Sequence, residues 1–214
     1  MRFADRRDAG RRLAQALERY RSAQPVVLGL PRGGVPVAAE VARALGAPLD
    51  VLVVRKLGAP GHPEFAVGAV AAGATVLHDD VVQQLGIPPE YLDRVIAQEQ
   101  EELARRERAY RGSRPGVEVH GRTVILVDDG LATGATAEAA IRVLRAQGAG
   151  RIVLAVPVSA PDTLRRLTPL VDDLVCLSAP PGFRAVSLSY DDFSPTSDEE
   201  VLACLHERPA ASAG

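Results

Sequence analysis

Hydrophobic positions along the chain fall into short continuous runs, separated by amphipathic or charged stretches. Val26–Leu30, Leu49–Val54, Val124–Val127, Ile152–Val156 and Leu174–Leu177 are apolar runs of strand length. Continuous rather than alternating apolar character marks strands covered on both faces, as in a parallel sheet. Helical patterns lie between them: residues 4–21, with Leu13 and Leu17 one turn apart and arginines on the other face, then about Val35–Leu45, Ala137–Gln147 and Asp162–Thr168. The arginines of the first helix read as a solvated face rather than an anion site. Strands alternating with helices predict an α/β domain with right-handed crossovers.

Other stretches break this rhythm. Phe65–Ala71 and Thr75–His78 are β-type segments, which predicts a hairpin around Ala72-Gly73-Ala74. Gly58–Glu64 is rich in glycine and proline and is expected to be a loop that closes over a neighbouring site. Pro88-Pro89 opens a charged helix, about Glu90–Arg111, whose apolar stripe of Leu92, Ile96, Leu103 and Tyr110 shares its face with Glu99 and Arg106. So narrow a stripe suits a mostly solvated helix that packs on a partner subunit, so a homodimer is an expected arrangement. Pro180-Pro181-Gly182 precedes an irregular aromatic stretch, Phe183–Phe193, expected to cap the sheet edge. Ser197 and Glu200 form a capping box for a last helix over residues 197–206, and residues 207–214 are expected to be a disordered tail.

Composition narrows the function classes. At 214 residues the chain is long enough for one full α/β core. A net charge of −2 gives no footprint for nucleic acid or an anionic membrane, and 4% aromatics with no Trp argues against a stacking platform. No apolar run reaches membrane-spanning length, and neither a secretory nor a transit signal is expected at the start. Cys176 and Cys204 lack metal-ligand spacing and read as buried thiols of a reducing, cytoplasmic compartment.

The chemistry concentrates in Val124–Thr136. A buried strand delivers Asp128 and Asp129 to its end, small residues follow, and a helix begins. Free N–H groups at a helix start and the helix dipole favour an anion, and Thr133 and Thr136 can add hydroxyl donors. Two carboxylates beside such a turn suit sugar hydroxyls, or Mg²⁺ held through water, not the phosphate itself. A second strand–loop–helix unit carries Pro31-Arg32-Gly33-Gly34, where Arg32 offers a planar donor fork. Leu49–Val54 ends in Arg55-Lys56, two cations at the sheet edge where open α/β folds bind ligands.

These thirteen residues resemble the phosphoribosyl-pyrophosphate (PRPP) signature of the type I phosphoribosyltransferases, with Ala135 where a second glycine usually stands. Pro31–Gly34 resembles the pyrophosphate loop of the same family, and the opening Arg-Phe-Ala-Asp-Arg-Arg is similar to a group of bacterial members. The resemblance implies a doubly wound sheet of order 3-2-1-4-5-6, whose antiparallel third strand would be about Ala66–Ala71. It implies a single domain over residues 1–214, with its core at about 25–178 and a C-terminal hood at about 179–206. It further implies transfer of 5-phosphoribosyl from PRPP to a nitrogen base, with Mg²⁺ as cofactor and release of pyrophosphate. Asp128 and Asp129 would take the ribose hydroxyls and the metal's water shell. Ala132, Thr133, Gly134, Ala135 and Thr136 would cradle the 5-phosphate. Arg32, Gly33, Gly34, Arg55 and Lys56 would take the pyrophosphate, with Arg32 and Lys56 stabilising its departure; Phe183 and Tyr190 would face the base. Ala132 and Val156-Pro157-Val158 depart from the pattern of 6-oxopurine enzymes, which counts against hypoxanthine or guanine. The alternative is a sensor that binds PRPP or a nucleotide on the same fold without turnover. A nucleic-acid regulator would need a basic patch that the charge does not supply.

Overall fold

A computed structural model describes residues 1–207, except for the side chains of residues 63 and 64. Strands β1 (Val26–Gly29), β2 (Leu49–Val51), β6 (Thr123–Val127), β7 (Arg151–Val158) and β8 (Asp173–Ser178) form one parallel sheet in the order β2-β1-β6-β7-β8. A second sheet, β3 (Arg55–Ala59), β4 (His62–Ala71) and β5 (Ala74–Leu77), is antiparallel.

The continuous apolar runs are explained by the two faces of the main sheet. Val26, Leu28, Val124, Leu126, Ile152 and Leu154 point to the side of α5 (Ala135–Ala146) and meet Ala140, Ile141 and Leu144. Their neighbours Val27, Ile125, Val127, Val153 and Ala155 point the other way, to Leu13 and Leu17 of α1 (Arg6–Leu17) and Val37 and Val41 of α2 (Gly34–Leu45). Burying both faces of every strand is what requires both residues of each pleat to be apolar. Asp5 caps α1 by accepting the Asp8 N–H at 2.7 Å, and Ser197 caps α7 (Asp198–His206) by accepting from Glu200 N at 3.1 Å.

Several expectations need correction. Ala66–Ala71 is antiparallel, but it lies within β4 of the second sheet and not at the edge of the main one. The outer edge of β2 is instead closed by Arg111, at the end of α4 (Pro89–Arg111), the long helix after the short α3 (Asp79–Gln84). Arg111 donates to the Val51 carbonyl at 2.6 Å, while buried Asp50 accepts from Arg111 and from Val117 N. A covered edge needs no further strand. The stripe of α4 is not left for a partner subunit: Leu92 packs on β3 and β4, and Leu103 and Tyr110 pack against Val51, Val53 and α7. Gly58–Glu64 is not an open loop. Ala59 pairs with His62 across a tight Pro60-Gly61 turn, with φ of 72° at Gly61, so the breakers form the tip of a hairpin. Cys204 is buried and Cys176 only half-buried, and both are free thiols. Glu207, expected in the tail, forms ion pairs with Arg7 and Arg43; residues 208–214 of that tail lie outside the described residues. Among the described residues no helix is long and apolar enough to cross a membrane.

Candidate active site

β1 pairs with β2 on one side and β6 on the other, and the connections after β1 and β6 lead into helices on opposite faces of the sheet. The crevice between two such loops is where open α/β sheets bind ligands. Leu30 N donates to the Val127 carbonyl at 2.9 Å, so the two strand ends emerge side by side. The glycines after β1 exist for this approach. A methyl group at Gly34 would fall 2.7 Å from the Val127 carbonyl oxygen and 2.9 Å from Asp128 Cα. One at Gly33 would clash with Asp129 Oδ2. The Pro31–Arg32 peptide is cis. Arg32 is exposed and makes no ion pair with the described residues.

Asp128 and Asp129 stand where β6 leaves the sheet. Asp128 Oδ1 accepts the Asp129 N–H at 2.9 Å, and Asp129 Oδ2 accepts from Arg6 Nε at 2.8 Å. The other oxygen of each carboxylate accepts no hydrogen bond from another described residue. Burial raises both carboxyl pKa values, and the charge of Asp129 pushes Asp128 up further; Arg6 opposes both shifts. Tyr190 is 3% exposed and its hydroxyl donates to the Asp129 carbonyl at 2.6 Å. Burial pushes that hydroxyl's pKa up, so it stays a donor. Tyr190 therefore braces the acidic turn from beneath rather than offering its ring to a base. Phe183, Phe193 and Val186 pack in the same small cluster, and a Cβ at Gly130 would lie 2.5 Å from Val186 Cγ1. The stretch expected as a hood thus meets the acidic turn through Tyr190 and Val186.

The next loop is fixed to the end of β7 and to α6 (Pro161–Leu167). Leu131 N donates to the Val158 carbonyl at 2.9 Å, and Thr163 Oγ1 donates to the Ala132 carbonyl at 2.5 Å. Gly134 takes φ of 69° and precedes α5; it has no side chain to cap the helix, and while Ala135 N donates to Thr133 Oγ1 at 3.4 Å, no described residue accepts from Thr136 N or Ala137 N. Ala135 is already helical, and Gln24 alone among the described non-glycine residues has positive φ, so alanine replaces the usual glycine there without strain. Ala132, Thr133 and Thr136 lie at this helix start, and all three are exposed.

Not every candidate converges. Arg55 donates to Glu99 of α4 at 2.6 Å, so its guanidinium is engaged away from the loops. Lys56 is exposed on β3. Two residues were missed by sequence reasoning: Arg6, from the helix read as solvated, and Arg166, which donates to the Thr133 carbonyl and pairs with Glu138. Neither carries a local signal, because each meets its partner only through the fold. Among the described residues no cluster of three or more His, Cys, Asp or Glu side chains could hold a metal. Two carboxylates with one open oxygen each still fit Mg²⁺, which keeps several waters and uses one or two carboxylates beside substrate phosphates.

Comparison with known proteins identifies relatives of this chain. A family model described as "Phosphoribosyl transferase domain" matches residues 4–179. A Mycobacterium tuberculosis protein named "Putative phosphoribosyl transferase" is 50% identical over 215 aligned positions, covering 99% of this chain and 48% of that protein, and the same holds in two strains. The chain therefore spans about half the length of the curated relatives it matches. The crystal structure of TT1426 from Thermus thermophilus is 50% identical with a TM-score of 0.88, covering 96% of this chain and 98% of that one.

Proposed function

Because the chain belongs to the phosphoribosyl transferase domain family, we propose that it transfers 5-phosphoribosyl from PRPP to a nitrogen base and releases pyrophosphate. One observation carries this reading: the Gly33-Gly34 backbone lies against Asp128 and Asp129 at the β1/β6 junction. A ligand with a phosphate at one end, vicinal hydroxyls in the middle and a diphosphate at the other end matches that order of groups. The first turn of α5, with Thr133 and Thr136, would hold the 5-phosphate. Asp128 Oδ2 and Asp129 Oδ1 would accept from the ribose hydroxyls and, through water, hold Mg²⁺. When bound, Mg²⁺ would offset the diphosphate charge. Arg32 would stabilise the departing group.

In the reaction a nitrogen of the base forms a bond to C1 as the C1–O bond breaks. Pyrophosphate leaves with the bonding pair, and the base nitrogen gives up its proton. The transition state has oxocarbenium character, so the protein contributes position and charge rather than a nucleophile. Cys176 and Cys204 as free thiols support a reducing, cytoplasmic setting. A second reading, a PRPP-binding regulator, draws support from Arg55 being engaged by Glu99 and Tyr190 being buried. Both residues were expected to serve turnover.

A pyrophosphate-release assay with PRPP, Mg²⁺ and a panel of nucleobases separates the two. Release dependent on one base supports the enzyme, with Arg32→Ala slower by about 10²–10³, the scale of one electrostatic donor. PRPP binding without release under any base supports the regulator.

A further inference from the structure

Arg6 is the first residue of α1, and its guanidinium lies beside Asp129 and the loop after β1. The segment before it is held by the hood: buried Phe3 donates its N–H to the Ser189 carbonyl at 2.9 Å. Asp191 N and Asp192 N donate to the carbonyls of Phe3 and Ala4 at 2.8 and 2.9 Å. The Arg6 guanidinium is then held on three sides. Nε donates to Asp129 Oδ2 at 2.8 Å, Nη1 donates to the Ser194 carbonyl at 2.7 Å, and the group lies 4.0 Å from the centre of the Phe193 ring. Its side chain is 12% exposed, against 57% for Arg11 and 45% for Arg12 of the same helix. An enclosed cation loses hydration and persists only with partners that replace it. The location matters as much as the burial. A Cβ at Gly33 would lie 3.1 Å from Arg6 Nε as well as against Asp129, so the ion pair touches the loop after β1.

We propose that Arg6 is a positioning residue of the ribosyl diphosphate site. It turns Oδ2 of Asp129 toward itself and leaves Oδ1 to accept from a ribose hydroxyl. Its charge also lets two adjacent carboxylates stand beside an anionic ligand. Ser194 and Phe193 hold Arg6 in turn, so the hood acts on Asp129 through this one side chain. The proposal rests on the PRPP reading. Its structural rival is a brace that merely ties the N-terminal segment to the hood.

Calorimetry with PRPP and Mg²⁺, and separately with inorganic phosphate, tests it on wild type, Arg6→Gln and Arg6→Lys, alongside melting temperatures. In Arg6→Gln, PRPP affinity is expected to fall roughly tenfold, the scale of one charge-assisted hydrogen bond, while phosphate affinity holds. Arg6→Lys keeps the charge but cannot hold Asp129, Ser194 and Phe193 together, so its PRPP affinity lies between the two. Wild-type PRPP affinity in folded Arg6→Gln overturns the proposal. So does an equal loss for both ligands with a lowered melting temperature, which is the signature of a brace. If Arg6→Gln does not fold, Arg6→Lys decides alone: weaker PRPP with unchanged phosphate supports the role, and wild-type PRPP affinity overturns it. Failure of the wild type to bind PRPP overturns the proposal and the functional reading together, whereas an unaffected variant of a PRPP-binding wild type overturns only the role of Arg6.

Discussion

Asp128 and Asp129 are adjacent carboxylates with little water around them, and the fold keeps them there at a cost. Burial and mutual repulsion make the folded state bind a proton at this pair more tightly than the unfolded chain does. Between the ordinary aspartate range and the raised folded values, stability therefore falls as pH rises. Asp128→Asn removes the charge and keeps an oxygen to accept the Asp129 N–H. It should melt above wild type at about pH 8, with the gap closing toward about pH 4 as the wild-type pair takes up its proton. Thermal unfolding across that range checks it, and a variant less stable than wild type throughout would contradict it. The acid pair was legible in the sequence because strand, acids, small loop and helix follow one another within Val124–Thr136. Arg6 was not, because its contact with Asp129 spans 123 positions, and in the sequence it reads like the exposed arginines beside it.

At the scale of elements, the pattern of apolar runs located the five strands of the main sheet, since two-sided burial leaves a strong mark. What it left ambiguous were segments whose partner lies far along the chain. The stripe of α4 looked too narrow to be internal, yet the second sheet, Val51, Val53 and α7 cover it. Gly58-Ala59-Pro60-Gly61 read as a loop because turn residues dominate, but Pro60-Gly61 is the tight turn joining β3 to β4. The functional expectation for this segment carries over to the hairpin tip, where Pro60, Gly61 and His62 are exposed. If the tip closes over bound PRPP, amide exchange at Gly58, Ala59 and His62 should slow when PRPP and Mg²⁺ are added. Equal exchange with and without ligand would remove the hairpin from the site.

At the scale of the whole molecule, the site is built by parts from both ends of the chain. The β1/β6 junction supplies the glycine loop and the acids, α5 and α6 hold the small-residue loop, and the N-terminal segment and hood close on the acidic turn from the far side. The family resemblance pointed to the first two and to a hood, but not to the N-terminal segment, which joins it through the pairing of Phe3 with Tyr190. The central claim is that the two acids read a ribose beside an anion-binding turn. Calorimetry on the Asp128→Asn, Asp129→Asn double variant tests it most directly. Losing charge-assisted bonds of ~1.5–3 kcal/mol each should weaken PRPP by roughly tenfold to a hundredfold per residue. Inorganic phosphate, which has no hydroxyls to read, should bind as well as to wild type or better. Wild-type PRPP affinity in the folded double variant would contradict the account.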